Sequence, residues 1–247
     1  MKQEILGVKI NKITWEQTLQ KIKSFLDSPN QHYLVTPNPE FLVAAQDDPE
    51  FKNILNQADL AVPDGFGLKL AGLYLGRPLR DRITGVDLVN QIAKICQQEK
   101  KSVYLYGAQP GIAEKTAQKL VSKYPSLKIT GYESGFRTRF YWRLPNFLIL
   151  AKIRRTRPDV LLVALGAPKQ EKWIYHNLAK LPSVKLAMGV GGAFDFISGK
   201  IKRSPKFMRC LGLEWLWRFG KQPWRLKRIL TAIGTFSWLV IKKGRKS

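Results

Sequence analysis

Asp64 is the residue of this sequence whose type and position most directly suggest chemistry. It follows the short apolar run 58–62 and precedes Gly65. A carboxylate at the end of a strand can act as a general base that takes a proton from a hydroxyl group. An Asp-Gly pair is also an ordinary turn with a solvated acid. The residues alone leave both interpretations open.

Two polar residues upstream, Thr36 and Asn38, alternate with prolines in the segment TPNPE. Proline fixes its own φ and keeps the residue before it extended, so both side chains are expected to point in defined directions. They could face a ligand. The alternative is a simple turn from strand to helix in which Asn38 caps the helix.

Three further turns follow apolar runs, at the places where α/β sheets bind ligands. The turn at Gly107 could bring backbone N–H groups to a phosphate, although it matches neither dinucleotide nor Walker fingerprints. Lys169 could meet a phosphate, and Gln170 could hydrogen-bond a hydroxyl or an amide. Asp195, after the glycines of 189–192, could accept hydrogen bonds from a ribose or a base. Tight turns and exposed helix starts are the alternatives.

Several common catalytic patterns are absent from the sequence. No two aspartates have the Asp-x-Asp spacing of metal-dependent sugar transferases, and the two histidines, His32 and His176, are isolated. There is no Gly-x-Ser-x-Gly nucleophile motif. We therefore expect chemistry without a metal or a nucleophilic triad.

Short apolar runs alternate with helical patterns along most of the chain. This alternation predicts an α/β, Rossmann-like fold with a mainly parallel sheet flanked by helices. The run 159–165 is almost wholly apolar, as expected of a strand buried on both faces. Strands are predicted over 32–36, 58–62, 102–106, 128–131, 159–165 and 185–190, and helices over 41–55, 88–98, 112–123, 148–156 and 170–179.

The C-terminal part of the chain has a different composition. The 247 residues carry a net charge of +24, and residues 200–247 contain fourteen basic residues and one acid, together with four of the seven tryptophans. This composition is typical of a helix at a membrane interface, and it could also belong to a terminal helix packed on the core. We predict an α/β catalytic domain over 1–198 and a basic, Trp-rich helical appendage over 199–247. The apolar stretch 229–241 is too short to span a bilayer unaided.

The remaining features of the composition indicate the cellular compartment of the protein. The N-terminus has Glu4 and no apolar signal core, and no apolar run is long enough to span a membrane. Cys96 and Cys210 suggest neither a disulfide framework nor a metal site, and Cys96 is expected to be buried in a helix. This composition suits a reducing compartment.

The strand-end turns, taken together and in order, resemble the WecG/TagA/CpsF glycosyltransferase family. The matching segments cover nearly the whole chain: TPNPEF (36–41), DPEF (48–51), ADLAVPDGFGL (58–68), DRITGVDL (81–88), LYGAQPGIAEK (105–115), LGAPKQEKWI (165–174), GVGGAFDFISG (189–199) and GLEWLWRF (212–219).

The resemblance implies inverting, metal-independent transfer of an N-acetylmannosamine-type sugar from UDP to undecaprenyl-diphosphate-linked GlcNAc. The UDP-sugar is a substrate, and no cofactor is expected. The product would serve a wall teichoic acid or a related surface polymer. The segments 135–146 and 221–225 depart from the family pattern, so another UDP-sugar donor, for an exopolysaccharide, stays open.

The resemblance also assigns roles to single residues. Asp64 becomes the general base. The sugar and diphosphate site takes Thr36, Asn38, Arg82 and Gln170; the nucleotide lies near Gly107 and Asp195; Arg218, Arg225 and Arg228 serve the diphosphate and the membrane. The protein is then expected in the cytoplasm, attached peripherally to the inner face of the plasma membrane, and homo-oligomers are compatible with the sequence.

Two other classes of protein compete with this interpretation. The high charge suits a nucleic-acid-binding protein, but no DNA or RNA motif is present, and the ordered strand-end turns would go unexplained. A basic membrane scaffold whose loops have lost catalysis is the other alternative. We therefore expect no nucleic acid partner and predict an enzyme.

Overall fold

The computed structural model describes residues 2–135, 145–205 and 230–243, together with 208, 216, 217, 220 and 226. The chain divides into two compact units. The first comprises residues 1–14, 36–84 and 202–247, and the second comprises 15–35 and 85–201. The described residues after 201 thus group with the first unit. The functional division into a catalytic domain and an appendage stays a prediction.

Strands and helices alternate along the chain, which confirms the α/β prediction. The strands are β1 (Lys2–Ile5), β2 (Val8–Asn11), β3 (His32–Val35), β4 (Leu60–Ala61), β5 (Ser102–Gly107), β6 (Lys128–Glu133), β7 (Val160–Ala164) and β8 (Leu186–Gly189). The helices are α1 (Trp15–Asp27), α2 (Pro39–Asp47), α3 (Pro49–Gln57), α4 (Phe66–Tyr74), α5 (Gly85–Gln98), α6 (Ile112–Lys123), α7 (Asn146–Thr156), α8 (Lys169–Asn177), α9 (Ala193–Ile197) and α10 (Phe236–Lys243). A 3₁₀ turn, Leu178–Lys180, follows α8, and a π-helical turn, Thr231–Thr235, precedes α10.

The parallel sheet has six strands, five of which belong to the second unit in the order β3-β8-β7-β5-β6. All neighbours among these five run parallel. Every residue of the central strand β7 is buried, as its apolar sequence predicts. Helix α5 buries an apolar face that includes Cys96. Burial is the main cause, and the charge of Asp159 the second, that raises the pKa of the Cys96 thiol to about 12. Cys96 is therefore the small buried hydrophobe predicted.

The first unit contains the short strand β4 and an antiparallel hairpin, β1–β2. Its tight turn uses Leu6 and Gly7, which both have positive φ (52° and 77°), as a type I′ hairpin requires. Side chains of α2 and α3 hold the turn: Gln46 Nε2 donates to Leu6 O at 2.9 Å, and Asn56 Nδ2 donates to Gly7 O at 2.9 Å.

The single helix predicted over 41–55 is wrong, because the structure has two helices, α2 and α3. Pro49 has no N–H to continue the first helix, and it keeps Asp48 out of the helical region at φ −128° and ψ 88°. The Asp48 carboxylate then caps the second helix by accepting from Phe51 N–H at 2.9 Å.

The C-terminal helix α10 has two different faces. Phe236, Leu239 and Val240 are buried, whereas Trp238 and Ile241 are 55% and 62% exposed. Most of the predicted appendage before residue 230 lies outside the described residues. Among the helices that the structure describes, none combines the length and apolar character needed to cross a membrane.

Candidate active site

In the first unit, the turn after β3 and the turn after β4 meet. The backbone N–H of Asp64 donates to Pro37 O at 2.8 Å. Asn38 is extended (φ −136°, ψ 175°), as the flanking prolines predict. Its Oδ1 accepts from Phe41 N–H at 3.1 Å, so Asn38 caps α2. Asp64 thus lies on a turn that is fastened directly to the Thr36–Asn38 segment.

The two glycines that follow Asp64 have different reasons: Gly67 avoids a clash with Pro39, and Gly65 adopts a positive φ. A Cβ at Gly67 would lie 2.9 Å from Pro39 Cγ, and Gly65 has φ +95° with the Pro39 ring 3.5 Å from the position of a Cβ. The proline therefore fixes the path of the turn that carries the carboxylate. This gives the Asp-Gly-Phe-Gly pattern a packing role in addition to any chemical one.

Arg82 lies next to the same turn through its neighbour Ile83, whose N–H donates to Pro63 O at 2.9 Å. Two residues on, Thr84 Oγ1 accepts from Arg203 Nη2 at 3.1 Å. The first unit thus brings together the segments of Thr36, Asn38, Asp64 and Arg82. It also adds Arg203, which the sequence analysis missed because it stands within a run of basic residues.

In the second unit, the Gln170 side chain joins two glycine turns. Its Oε1 accepts from Gly166 N–H at 3.1 Å and from Gly191 N–H at 2.9 Å. Its Nε2 donates to Glu171 Oε1 at 2.6 Å. Gln170 is only 2% exposed, so its observed contacts are with the protein, and its predicted role toward the sugar stays a prediction.

Glu171 is a buried acid that the sequence analysis did not single out. It is 1% exposed, and burial raises its pKa to about 7, although hydrogen bonds from Gln170 and from its own backbone N–H lower the pKa in part. Within the described part of the chain, its Oε2 is buried without a hydrogen-bond partner. Glu171 stands with Gln170 between Lys169 and Lys172, so the sequence gives no sign that it is buried.

This buried acid predicts a pH-dependent stability. Because the folded pKa lies above the ordinary 4.5, the native state binds the proton more tightly, and stability falls as pH rises from 4.5 to about 7. Glu171→Gln cannot ionise, so between about pH 4 and pH 8 the wild type should lose about 3 kcal/mol more unfolding free energy than the variant. Urea unfolding at both pH values measures this difference. Parallel pH profiles for the two proteins would contradict it, and the exposed Glu99→Gln serves as the control.

Gly107 is the last residue of β5, and Asp195 lies on α9, the helix after β8. Gly107 has φ +121°, and a Cβ there would lie 2.5 Å from the Ala164 backbone, so its lack of a side chain has a packing explanation. Lys200 connects the two regions: its Nζ donates to Gln109 Oε1 at 2.5 Å and lies 3.7 Å from Asp195 Oδ1. The Asp195 charge is therefore partly balanced within the protein.

The second unit gathers Gly107, Gln170 and Asp195 at one edge of the sheet. Gly107 ends β5, and Gln170 and Asp195 come after β7 and β8; these three strands are neighbours and parallel. The carboxyl edge of such strands is where α/β folds bind ligands. Within the described ranges, no group of three or more His, Cys, Asp or Glu side chains could hold a metal ion. Independence from metal stays a prediction. Arg218, Arg225 and Arg228 lie outside the described residues.

Comparison with known proteins shows the family of this chain. The model of the glycosyl transferase WecG/TagA/CpsF family matches residues 3–247. The chain therefore belongs to that family and is a glycosyltransferase, which confirms the resemblance seen in the sequence.

Curated relatives match nearly the whole chain. An N-acetylglucosaminyldiphosphoundecaprenol N-acetyl-beta-D-mannosaminyltransferase of Bacillus subtilis (strain 168) is 35% identical over 230 residues, which is 90% of this chain and 87% of the relative. A protein of the same name from Staphylococcus aureus (strain MRSA252) is 32% identical over 247 residues, covering 99% and 94%. These relatives are hexosyltransferases, and so is this chain.

Proposed function

We propose that this enzyme transfers N-acetylmannosamine from UDP to GlcNAc-diphosphoundecaprenol, with inversion and without a metal. The observation that carries the proposal is the 32–35% identity, over 90–99% of the chain, to enzymes named for this sugar and this acceptor. The product would be a linkage intermediate for wall teichoic acid or a related surface polymer. The reaction would take place at the cytoplasmic face of the membrane.

Asp64 is the proposed general base. As the acceptor hydroxyl oxygen bonds to the anomeric carbon, its proton passes to the Asp64 carboxylate. The bond between the anomeric carbon and the β-phosphate oxygen breaks, and its electron pair leaves with UDP. Attack from the face opposite UDP inverts the anomeric centre. One well-placed carboxylate suffices for this chemistry, and the turn held by Pro37 and Pro39 supports its placement.

Negative charge builds on UDP as it leaves, and arginines are proposed to neutralise it. Arg82 on the Asp64 side is one candidate, and Arg218, Arg225 and Arg228 of the C-terminal segment are the others. Guanidinium groups bind phosphate oxygens in pairs and stabilise developing charge. Thr36, Asn38 and Gln170 are assigned to the sugar and diphosphate, and the Gly107 turn and Asp195 to the nucleotide.

A donor screen tests the proposed reaction. The protein is incubated with a soluble lipid-diphosphate-GlcNAc analogue and each of several UDP-sugars, with and without EDTA, and UDP release is measured. We expect acceptor-dependent release with UDP-N-acetylmannosamine and no effect of EDTA. Release only with another UDP-sugar would replace the donor, and loss of activity in EDTA would reject metal independence.

The membrane attachment is proposed to use the outer face of α10. Trp238 and Ile241 are exposed there, and Lys242 Nζ lies 4.5 Å from the centre of the Trp238 ring. Exposed aromatic and aliphatic side chains beside a lysine suit the interface of an anionic bilayer. The opposite face packs on the protein through Phe236, so this helix can contact lipid while it stays folded onto its unit.

The double variant Trp238→Ser/Ile241→Ser should bind anionic liposomes at least about tenfold more weakly, because each apolar side chain contributes about 2 kcal/mol when buried. Co-sedimentation measures binding. Point variants test the membrane face more specifically than deletion of residues 200–247, because the deletion would also remove the buried Phe236 and Ser204. Ser237→Ala is the control. Unchanged co-sedimentation of the double variant would reject this membrane face.

A further inference from the structure

The Gln170 amide braces two turns at the carboxyl edge of the sheet. The two N–H groups that it accepts belong to Gly166 and Gly191, both with positive φ (+78° and +49°). One turn follows β7 and the other follows β8, and Val190 N–H also donates to Val163 O at 2.8 Å. A single side-chain oxygen therefore joins two loops that follow adjacent strands.

Glu171 decides which way this amide points. With Nε2 held by Glu171 Oε1 at 2.6 Å, the Gln170 oxygen faces the two turns. A flipped amide would direct its NH₂ group at two N–H donors and lose three hydrogen bonds. A Cβ on Gly189 would lie 2.6 Å from Glu171 Oε1 and 2.7 Å from Gln170 Nε2, so the pair packs directly on the last residue of β8.

We propose that Glu171 is a positioning residue of the transfer reaction, which orients the Gln170 amide so that the turns after β7 and β8 keep the shape that binds the UDP-sugar. The role in the reaction rests on the proposed function. Glu171 itself need not contact substrate, because it acts through Gln170 and the two turns. This assigns a use to an acid buried beside the predicted donor residues.

The protonated form of Glu171 fits this brace best. Its Oε2 is buried without a partner among the described residues, and burial raises the pKa of Glu171 from the ordinary value to about 7. From β3, Tyr33 acts on it: the pKa of Tyr33 is raised well above its ordinary value by burial and then by the Glu171 charge. An ionised carboxylate in this place would draw water or other donors to Oε2 and loosen the pair.

The test compares Glu171→Ala and Glu171→Gln with the wild type between about pH 6 and pH 8.5. Glu171→Ala leaves Gln170 Nε2 without its acceptor, so the donor KM should rise about tenfold while the acceptor KM and kcat change little. Glu171→Gln keeps an acceptor oxygen and should restore the donor KM. In the wild type the donor KM should rise above about pH 7, and in Glu171→Gln this rise should be absent.

Asn177→Ala is the matched control, because Asn177 is also buried on α8 and hydrogen-bonds the Trp173 carbonyl at 2.8 Å. It should lower stability without changing the donor KM. An unchanged donor KM in Glu171→Ala, or equal losses in the Ala and Gln variants, would overturn the proposal. If Glu171→Ala does not fold, the pH profile of Glu171→Gln decides, and a profile identical to the wild type overturns it.

Amide exchange separates this proposal from the proposed function. The Gly166 and Gly191 amides should exchange faster in Glu171→Ala, and in the wild type above about pH 7, than in Glu171→Gln. This readout needs no substrate. A wild type inactive with every UDP-sugar would reject the proposed function, whereas unchanged exchange of both amides would reject the positioning role.

Discussion

Asp64→Asn is expected to lower the rate of sugar transfer by about 10³-fold, since a positioned general base contributes this order of rate enhancement. The fold should be unaffected, because the hydrogen bond to Pro37 O comes from the Asp64 backbone and the amide side chain has nearly the same shape. Steady-state UDP release in the presence of acceptor measures the loss, and circular dichroism and urea unfolding check the fold.

The control for this variant is Asp59→Asn, an exposed carboxylate on the other side of β4. Its rate should stay within about twofold of the wild type, as for a surface substitution away from the chemistry. Wild-type turnover in Asp64→Asn would remove Asp64 from the mechanism. UDP affinity, measured by calorimetry, should change little, because the base is assigned to the acceptor hydroxyl.

The second large effect is expected at Gly107. Gly107→Ala would place a Cβ 2.5 Å from the carbonyl carbon and oxygen of Ala164 at a φ of +121°, so the end of β5 must move away from β7. We expect the unfolding free energy to fall by about 3 kcal/mol or more, since overpacking and backbone strain add. Donor affinity should fall as well, if the turn binds the nucleotide.

Gly111→Ala separates these two causes. Gly111 has φ +77° but nothing within 4 Å of a Cβ, so strain acts there without a clash. Its cost should be about 1–2 kcal/mol, as for a left-handed residue. Urea unfolding of both variants gives the comparison, and equal losses at the two glycines would show that the contact with Ala164 is unimportant.

The sequence predicts the strands of the second unit well because their signal is local. A strand such as β7, buried on both faces, must be almost continuously apolar, and the helix α6 keeps one apolar stripe over the predicted bounds. The hairpin β1–β2 was missed because its turn uses Leu6 at positive φ instead of the usual Asn or Gly. The apolar pattern alone does not show the break between α2 and α3, which comes from Pro49 and the Asp48 cap.

The candidate site was predictable only in part. Asp64, Asn38 and Asp195 can be recognised in the sequence as polar residues that come after apolar runs. Glu171 lacks this signal, because it stands between Gln170 and Lys172 at a charged helix start. Its burial depends on β8, which begins some 15 residues later, and on the absence of a side chain at Gly189. Contacts that come from packing between distant segments have no local signature. The same holds for Arg203 and Thr84.

The mass of the acceptor after reaction tests the proposed transfer most directly. The wild type is incubated with UDP-N-acetylmannosamine and a soluble lipid-diphosphate-GlcNAc analogue, and the lipid product is analysed by mass spectrometry beside the Asp64→Asn reaction. We expect the acceptor to gain one N-acetylhexosamine with the wild type and almost none with the variant. An acceptor of unchanged mass while UDP accumulates, or equal transfer by both proteins, would contradict it.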